Sequence, residues 1–209
     1  MRIIALVGNK GGAGKTTLTV NLAVALSATG ATVILDADPQ RSSLQWHSIA
    51  DESSAVDVVE AGKAIADDVQ NLGSDYDFCL IDCPPSVHSV QMQQALRLAD
   101  LALIPVQPSP LDIWATVHVE DEVSSAAQQN RKLKSLLLIN QFESRTQLSQ
   151  QTRRALEELS IPVANTQIHR RAIYRNSFVE GKTVMSSGSR GKTAAKEINE
   201  LLEEVESQL

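Results

Sequence analysis

The chain is poor in cysteine, in aromatic side chains and in long apolar runs. Two cysteines among 209 residues cannot make a disulfide framework, and nothing in their surroundings resembles paired zinc knuckles, so a reducing compartment is expected. With aromatics at 3%, the core must be aliphatic, which the 43% hydrophobic fraction can supply. The first apolar run, Ile3 to Val7, is too short for a secretory signal, and no stretch approaches the ~20 residues that cross a bilayer. These absences predict a cytoplasmic protein with no membrane partner. The length suits one domain spanning 1–209.

Basic charge is also in deficit, 19 Lys and Arg against 25 Asp and Glu for a net charge of −6, and that average argues against nucleic acid. The distribution argues differently. Between Arg145 and Lys196 ten basic residues (Arg145, Arg153, Arg154, Arg170, Arg171, Arg175, Lys182, Arg190, Lys192 and Lys196) face three acids, leaving +7 there and −13 elsewhere. A late basic face of this kind can meet phosphates, although scattered Lys and Arg also serve as an ordinary solvated surface.

Short apolar runs at Ile3–Val7, Thr32–Leu35, Phe78–Ile81, Leu101–Val106 and Leu136–Ile139 read as buried strands. Helical periodicity falls at Lys15–Ala28, Ser42–Ala50, Gly62–Leu72, Val90–Ala99, Asp112–Asn130, Gln147–Leu159 and Thr193–Ser207. Breaks at Cys83–Ser86, Pro105–Pro110 and Ser186–Gly191 are too short to be interdomain linkers. The alternation predicts an α/β fold, a mostly parallel twisted sheet with helices on both faces, whose ligands sit at the carboxyl ends of the strands.

After the first strand comes Gly8-Asn9-Lys10-Gly11-Gly12-Ala13-Gly14-Lys15-Thr16-Thr17, leading into an amphipathic run. Gly11, Gly12 and Gly14 free the backbone N–H groups of the turn, including that of Ala13, to point at phosphate oxygens at a helix N-terminus. Lys15 would reach the β- and γ-phosphates and the Thr16 hydroxyl would ligate Mg²⁺, with Thr17 completing the cradle. Lys10, five residues before Lys15 on the far side of the glycine turn, should project outward, where a cation can serve a nucleotide on a facing subunit.

Two carboxylates follow the second strand in Asp36-Ala37-Asp38-Pro39-Gln40. At i and i+2 they share one side of an extended segment; Asp38 is assigned to the attacking water and Asp36 to the metal side. A helix-capping role for either is weaker, because Pro39 and Gln40 separate them from the run that starts at Ser42. The third apolar run ends in Asp82-Cys83-Pro84-Pro85, an acid at a strand tip placed to bind Mg²⁺ through water or to hold Thr16. Cys79 and Cys83 supply only half of any cluster ligand set and read as core thiols. Asn140, at the end of the fifth run, is a candidate donor to an adenine edge.

The loop misses the strict Walker A pattern at Asn9 and fits K-G-G-x-G-K-T-T instead. That string resembles the deviant Walker A motif of the ParA/MinD family of P-loop ATPases, with Lys10 as the second lysine. D-x-D-P-Q at 36–40, the strand-tip Asp82 and Pro105-Val106-Gln107-Pro108-Ser109-Pro110-Leu111-Asp112, similar to the P-x-x-P-S-P-x-D segment of short ParA proteins, extend the likeness. The resemblance implies a P-loop NTPase that hydrolyses ATP with Mg²⁺, forms an ATP-sandwich homodimer and binds DNA without sequence preference. It places the DNA contacts at Arg170, with Arg171, Arg175 and Arg190 as neighbours. It further implies nucleoid association, a ParB-like or McdB-like activator protein, and a plasmid, chromosome or protein cargo such as carboxysomes. Alternatives are a MinD-like membrane regulator, disfavoured by the acidic run Glu197, Glu200, Glu203, Glu204 and Glu206, and a P-loop metabolic enzyme, which has less use for Lys10.

Overall fold

The computed structural model describes residues 1–50, 56–144 and 147–209. Arg145, counted in the basic stretch, lies outside them. The elements run β1 (Arg2–Leu6), α1 (Lys15–Leu26), β2 (Thr32–Asp36), α2 (Ser42–Ile49), β3 (Val56–Glu60), α3 (Ile65–Leu72), β4 (Phe78–Asp82), α4 (Val90–Leu98), β5 (Leu101–Val106), α5 (Pro110–Gln129), β6 (Lys134–Phe142), α6 (Gln147–Leu156), β7 (Val163–His169), α7 (Ala172–Val179) and α8 (Gly188–Gln208). All seven strands pair in parallel, in the order β3-β2-β4-β1-β5-β6-β7.

Parallel pairing demands cover on both faces, and the residues alternate accordingly. Along the first strand Ile3, Ala5 and Val7 join one core with Ile65, Met92, Leu96, Val119, Val123 and Leu156 of α3 to α6. Ile4 and Leu6 join the opposite core, with Leu18 and Leu22 of α1, Trp46 of α2, Tyr174 of α7 and Ile198 and Leu201 of α8. The sheet is therefore the centre of an α/β sandwich with helices on both faces, as the apolar runs predicted.

The five expected strands are all present, and two more flank them. β3 is an edge strand with one buried residue, Val56, and β7 is interrupted by Asn165, Thr166 and Gln167, so neither shows the continuous apolar run of a central strand. The short helix α7 was likewise not expected. Pro105 lies inside β5 rather than in a turn, and α8 begins at Gly188 inside the supposed glycine-serine break.

Chain order reverses on either side of β1, which pairs with β4 on one side and β5 on the other. The crevice at the carboxyl end of β1 is thus the topological switch point where such sheets bind ligands.

Candidate nucleotide site

Strand register assembles the site. Leu6, Asp82 and Asp36 occupy the same level on β1, β4 and β2, with Glu60 next to Asp36 on β3, so the acidic tips stand in a row beside the loop that leaves β1. In that loop Gly12 (φ 79°) and Gly14 (φ 94°) take left-handed backbone conformations, where glycine carries no Cβ penalty. Gly14 is also the N-cap of α1, and a Cβ on it would strike the Asn140 amide nitrogen.

Lys15 is buried at 6% exposure and its ammonium donates to the Lys10 carbonyl at 3.1 Å. Burial lowers its pKa, opposed by the charge of Asp82 and Asp38. Asp82 is fully buried. Burial pushes its carboxyl up to about 7, against the opposing pull of Thr16, Ser43 and Lys15. Ser43 donates to its Oδ2 at 2.9 Å, while Oδ1 has no hydrogen-bond partner among the described residues.

A buried, unsatisfied carboxylate oxygen beside a threonine hydroxyl and a lysine fits a hydrated Mg²⁺ that draws its remaining ligands from phosphates. No cluster of three or more His, Cys, Asp or Glu that could hold a metal occurs among the described residues.

Asp36 takes the helix-capping role that the intervening residues were expected to disfavour. Its Oδ2 accepts from Leu44 N–H at 3.0 Å and its Oδ1 from Asp38 N–H at 3.2 Å, so it caps the first turn of α2 despite the intervening Pro39 and Gln40. The Asp38–Arg41 turn folds back on itself, which brings α2 to the carboxylate. Burial raises the Asp36 pKa while these N–H groups oppose the rise. Asp38 is half-buried, and its Oδ1 accepts from Gln40 N–H at 2.9 Å. It lines a recess of about 480 Å³ with Asp36, Arg41, Glu60 and Gln91.

Lys10 lies at the mouth of the loop but is folded onto its own chain. Its Nζ is 3.1 Å from Asp112 Oδ2 in the first turn of α5. On the same helix Leu111, Trp114 and Val117 are exposed at 62%, 68% and 43%.

A second cleft, of about 250 Å³, opens where α1 begins; Gly14, Thr17, Asn140, Gln141, Arg171 and Arg175 are among its walls. Asn140 is committed to the loop: Nδ2 donates to Ala13 O at 2.6 Å and Oδ1 accepts from Gln141 N–H at 2.9 Å, which leaves one amide N–H for a ligand. The side-chain amides of Gln107 and Gln141 both donate to Gly12 O, at 2.6 and 2.9 Å. Sequence reasoning missed these two and Ser43. Gln107 sat inside a proline motif read as a rigid loop, and Gln141 reaches the loop through a bulge (φ 56°) that no local pattern announces.

The four arginines expected at DNA do not stand alike. Arg171 forks onto Glu197 at 2.5 and 3.1 Å, a carboxylate that also lies 2.9 Å from His169 Nδ1. Arg170 pairs with Glu143 at 2.9 Å. Arg175 and Arg190 are exposed, and neither has an ion pair among the described residues.

A glycine-rich strand-to-helix turn carrying a buried lysine and a threonine, faced by a strand-tip aspartate at the switch point of a parallel sheet, defines a P-loop nucleotide-binding protein. More narrowly, the chain belongs to the CbiA family, the CobQ/CobB/MinD/ParA nucleotide binding domain, whose model matches residues 4–184. It is 39% identical over 205 residues to the "Maintenance of carboxysome distribution protein A" of Halothiobacillus neapolitanus, covering 97% of this chain and 95% of that protein. Its fold is similar to that of a McdA–ATP complex from Cyanothece (TM-score 0.78, 18% identity, 99% of this chain and 96% of that one). The cell division ATPase MinD of Pyrococcus furiosus is similar too (TM-score 0.82, 22% identity, 100% and 99%). No helix among the described residues is long and apolar enough to cross a membrane.

Proposed function

We propose that this chain is an ATP-dependent positioning ATPase that acts as a homodimer on DNA. The loop N–H groups from Gly11 to Thr17 and the Lys15 ammonium hold the phosphates, and Asn140 borders the base. Thr16 and Asp82 hold the Mg²⁺ shell, and the ion supplies charge neutralisation on the phosphates when bound. Asp36 serves that side of the site by fixing the turn that carries Asp38. Asp38 orients the attacking water, and Lys10 leaves Asp112 to meet the nucleotide of the second copy.

The observation that carries this reading is the second lysine of the phosphate loop, Lys10, whose side chain is 34% exposed and is held by an ion pair to Asp112 of α5, a helix that also exposes Leu111, Trp114 and Val117. A partly exposed cation at the loop and an exposed apolar stripe on the helix that holds it suit closure against a second protein surface better than chemistry on a small substrate. Arg170, Arg175 and Arg190 then form the DNA-facing set, while Arg171 holds its place through Glu197.

The near full-length likeness to the carboxysome distribution protein of Halothiobacillus supports carboxysomes, reached through an McdB-like activator, as the cargo. The test is retention on non-specific DNA. The Mg²⁺·ATP form should be retained and the ADP form released, with affinity falling steeply as salt rises. Equal retention in both states would reject the reading.

A further inference from the structure

The turn that presents Asp38 contains the one strained backbone conformation of the site that no glycine relieves on the acidic side. Arg41 has φ 52° and ψ 40°, the left-handed region that a long side chain enters only at a cost. It is the N-cap residue of α2, yet its side chain makes no capping hydrogen bond; Asp36 supplies the cap instead. Glycine would fill such a position without strain; arginine adds a side chain.

What it does is cross the recess to β3. Arg41 Nη2 lies 2.5 Å from Glu60 Oε1, and Glu60 is the register partner of Asp36. The other bonds of the turn are local: Arg41 N–H donates to Asp38 O at 2.8 Å and Gln40 N–H to Asp38 Oδ1 at 2.9 Å. On the inner side Asp36 ties the turn to β2; on the outer side the Arg41–Glu60 pair ties it to β3. Both partners are more than half exposed on their side chains, at 60% and 51%, and an exposed pair adds little to stability.

We propose that Arg41 is a positioning residue for Asp38: by pairing with Glu60 it anchors the Asp38–Arg41 turn to the neighbouring strand and so aims the Asp38 carboxylate. This rests on the reading of Asp38 as the residue that orients water. The test compares Arg41→Gly, Glu60→Gln and Asp38→Ala in full-length protein, by ATP turnover against Mg²⁺·ATP concentration and by thermal unfolding.

Arg41→Gly relieves the backbone strain, so its unfolding midpoint stays level or rises, while kcat falls about tenfold or more at an unchanged KM. Glu60→Gln lowers kcat similarly, and the Arg41→Gly/Glu60→Gln double variant, assayed alongside, is no worse than either single one. A wild-type kcat in Arg41→Gly, with Asp38→Ala inactive, overturns this inference alone. Turnover that survives in Asp38→Ala overturns the hydrolytic reading together with it. A raised KM at full kcat, or a kcat loss that follows a lower unfolding midpoint, would assign Arg41 to nucleotide binding or to folding and reject the proposal.

Discussion

Substituting Gly14 by alanine tests how the phosphate loop is held. At φ 94° any L-residue pays a left-handed backbone penalty, about 1–2 kcal/mol. The added Cβ would also collide with the Asn140 amide nitrogen, which is bonded to Ala13 O. Moving that amide leaves a buried carbonyl unpaired, a further ~1–3 kcal/mol. The total loss is therefore roughly 2–5 kcal/mol. In an Asn140→Ala background the collision is gone, and Gly14→Ala should cost only the backbone penalty. Urea denaturation of the four proteins measures the cycle, and a coupling of about 1–3 kcal/mol is expected. Additivity within about 0.5 kcal/mol would refute the claim that Asn140 packs against the loop through this contact.

The Asp82 carboxyl, raised to about 7 by burial, binds more protons in the folded than in the unfolded protein between its ordinary range and neutrality. Stability of the nucleotide-free protein should therefore fall as pH rises from about 4 to about 7 and level off above. Asp82→Asn should remove up to roughly 4 kcal/mol of that decline, measured by denaturation across pH; identical slopes would contradict the burial argument. Asp112→Asn frees Lys10 from its ion pair and should raise the proportion of dimer formed at subsaturating ATP, read by light scattering. Arg175→Glu or Arg190→Glu should weaken DNA retention and reduce the salt slope by about one. Arg171→Ala should instead destabilise the fold, because it removes the guanidinium that donates to both oxygens of the buried Glu197.

The central strands, the glycine loop and the acidic tips were legible because each is a local pattern: an apolar run, a fixed spacing, an acid directly after a strand. Edge strands were not. β3 exposes most of its residues, and what makes it a strand is pairing with β2, a long-range fact. The capping role of Asp36 ranked too low for a similar reason, since counting along the chain puts Pro39 and Gln40 in the way while the turn brings Leu44 N–H back to it. The amides on Gly12 O come from the ends of β5 and β6, and no spacing links positions 12, 107 and 141. The ion pairs of Arg170 and Arg171 likewise depend on partners 27 and 26 residues away, which neither the charge count nor the family likeness could supply.

Sizing by light scattering in Mg²⁺ tests the account most directly, comparing wild type and Lys10→Ala with ADP and with a non-hydrolysable ATP analogue. The account predicts a monomer with ADP, a dimer of wild type with the analogue, and a monomer of Lys10→Ala with either. Wild type that stays monomeric with the analogue, or Lys10→Ala that dimerises as fully as wild type, would contradict it.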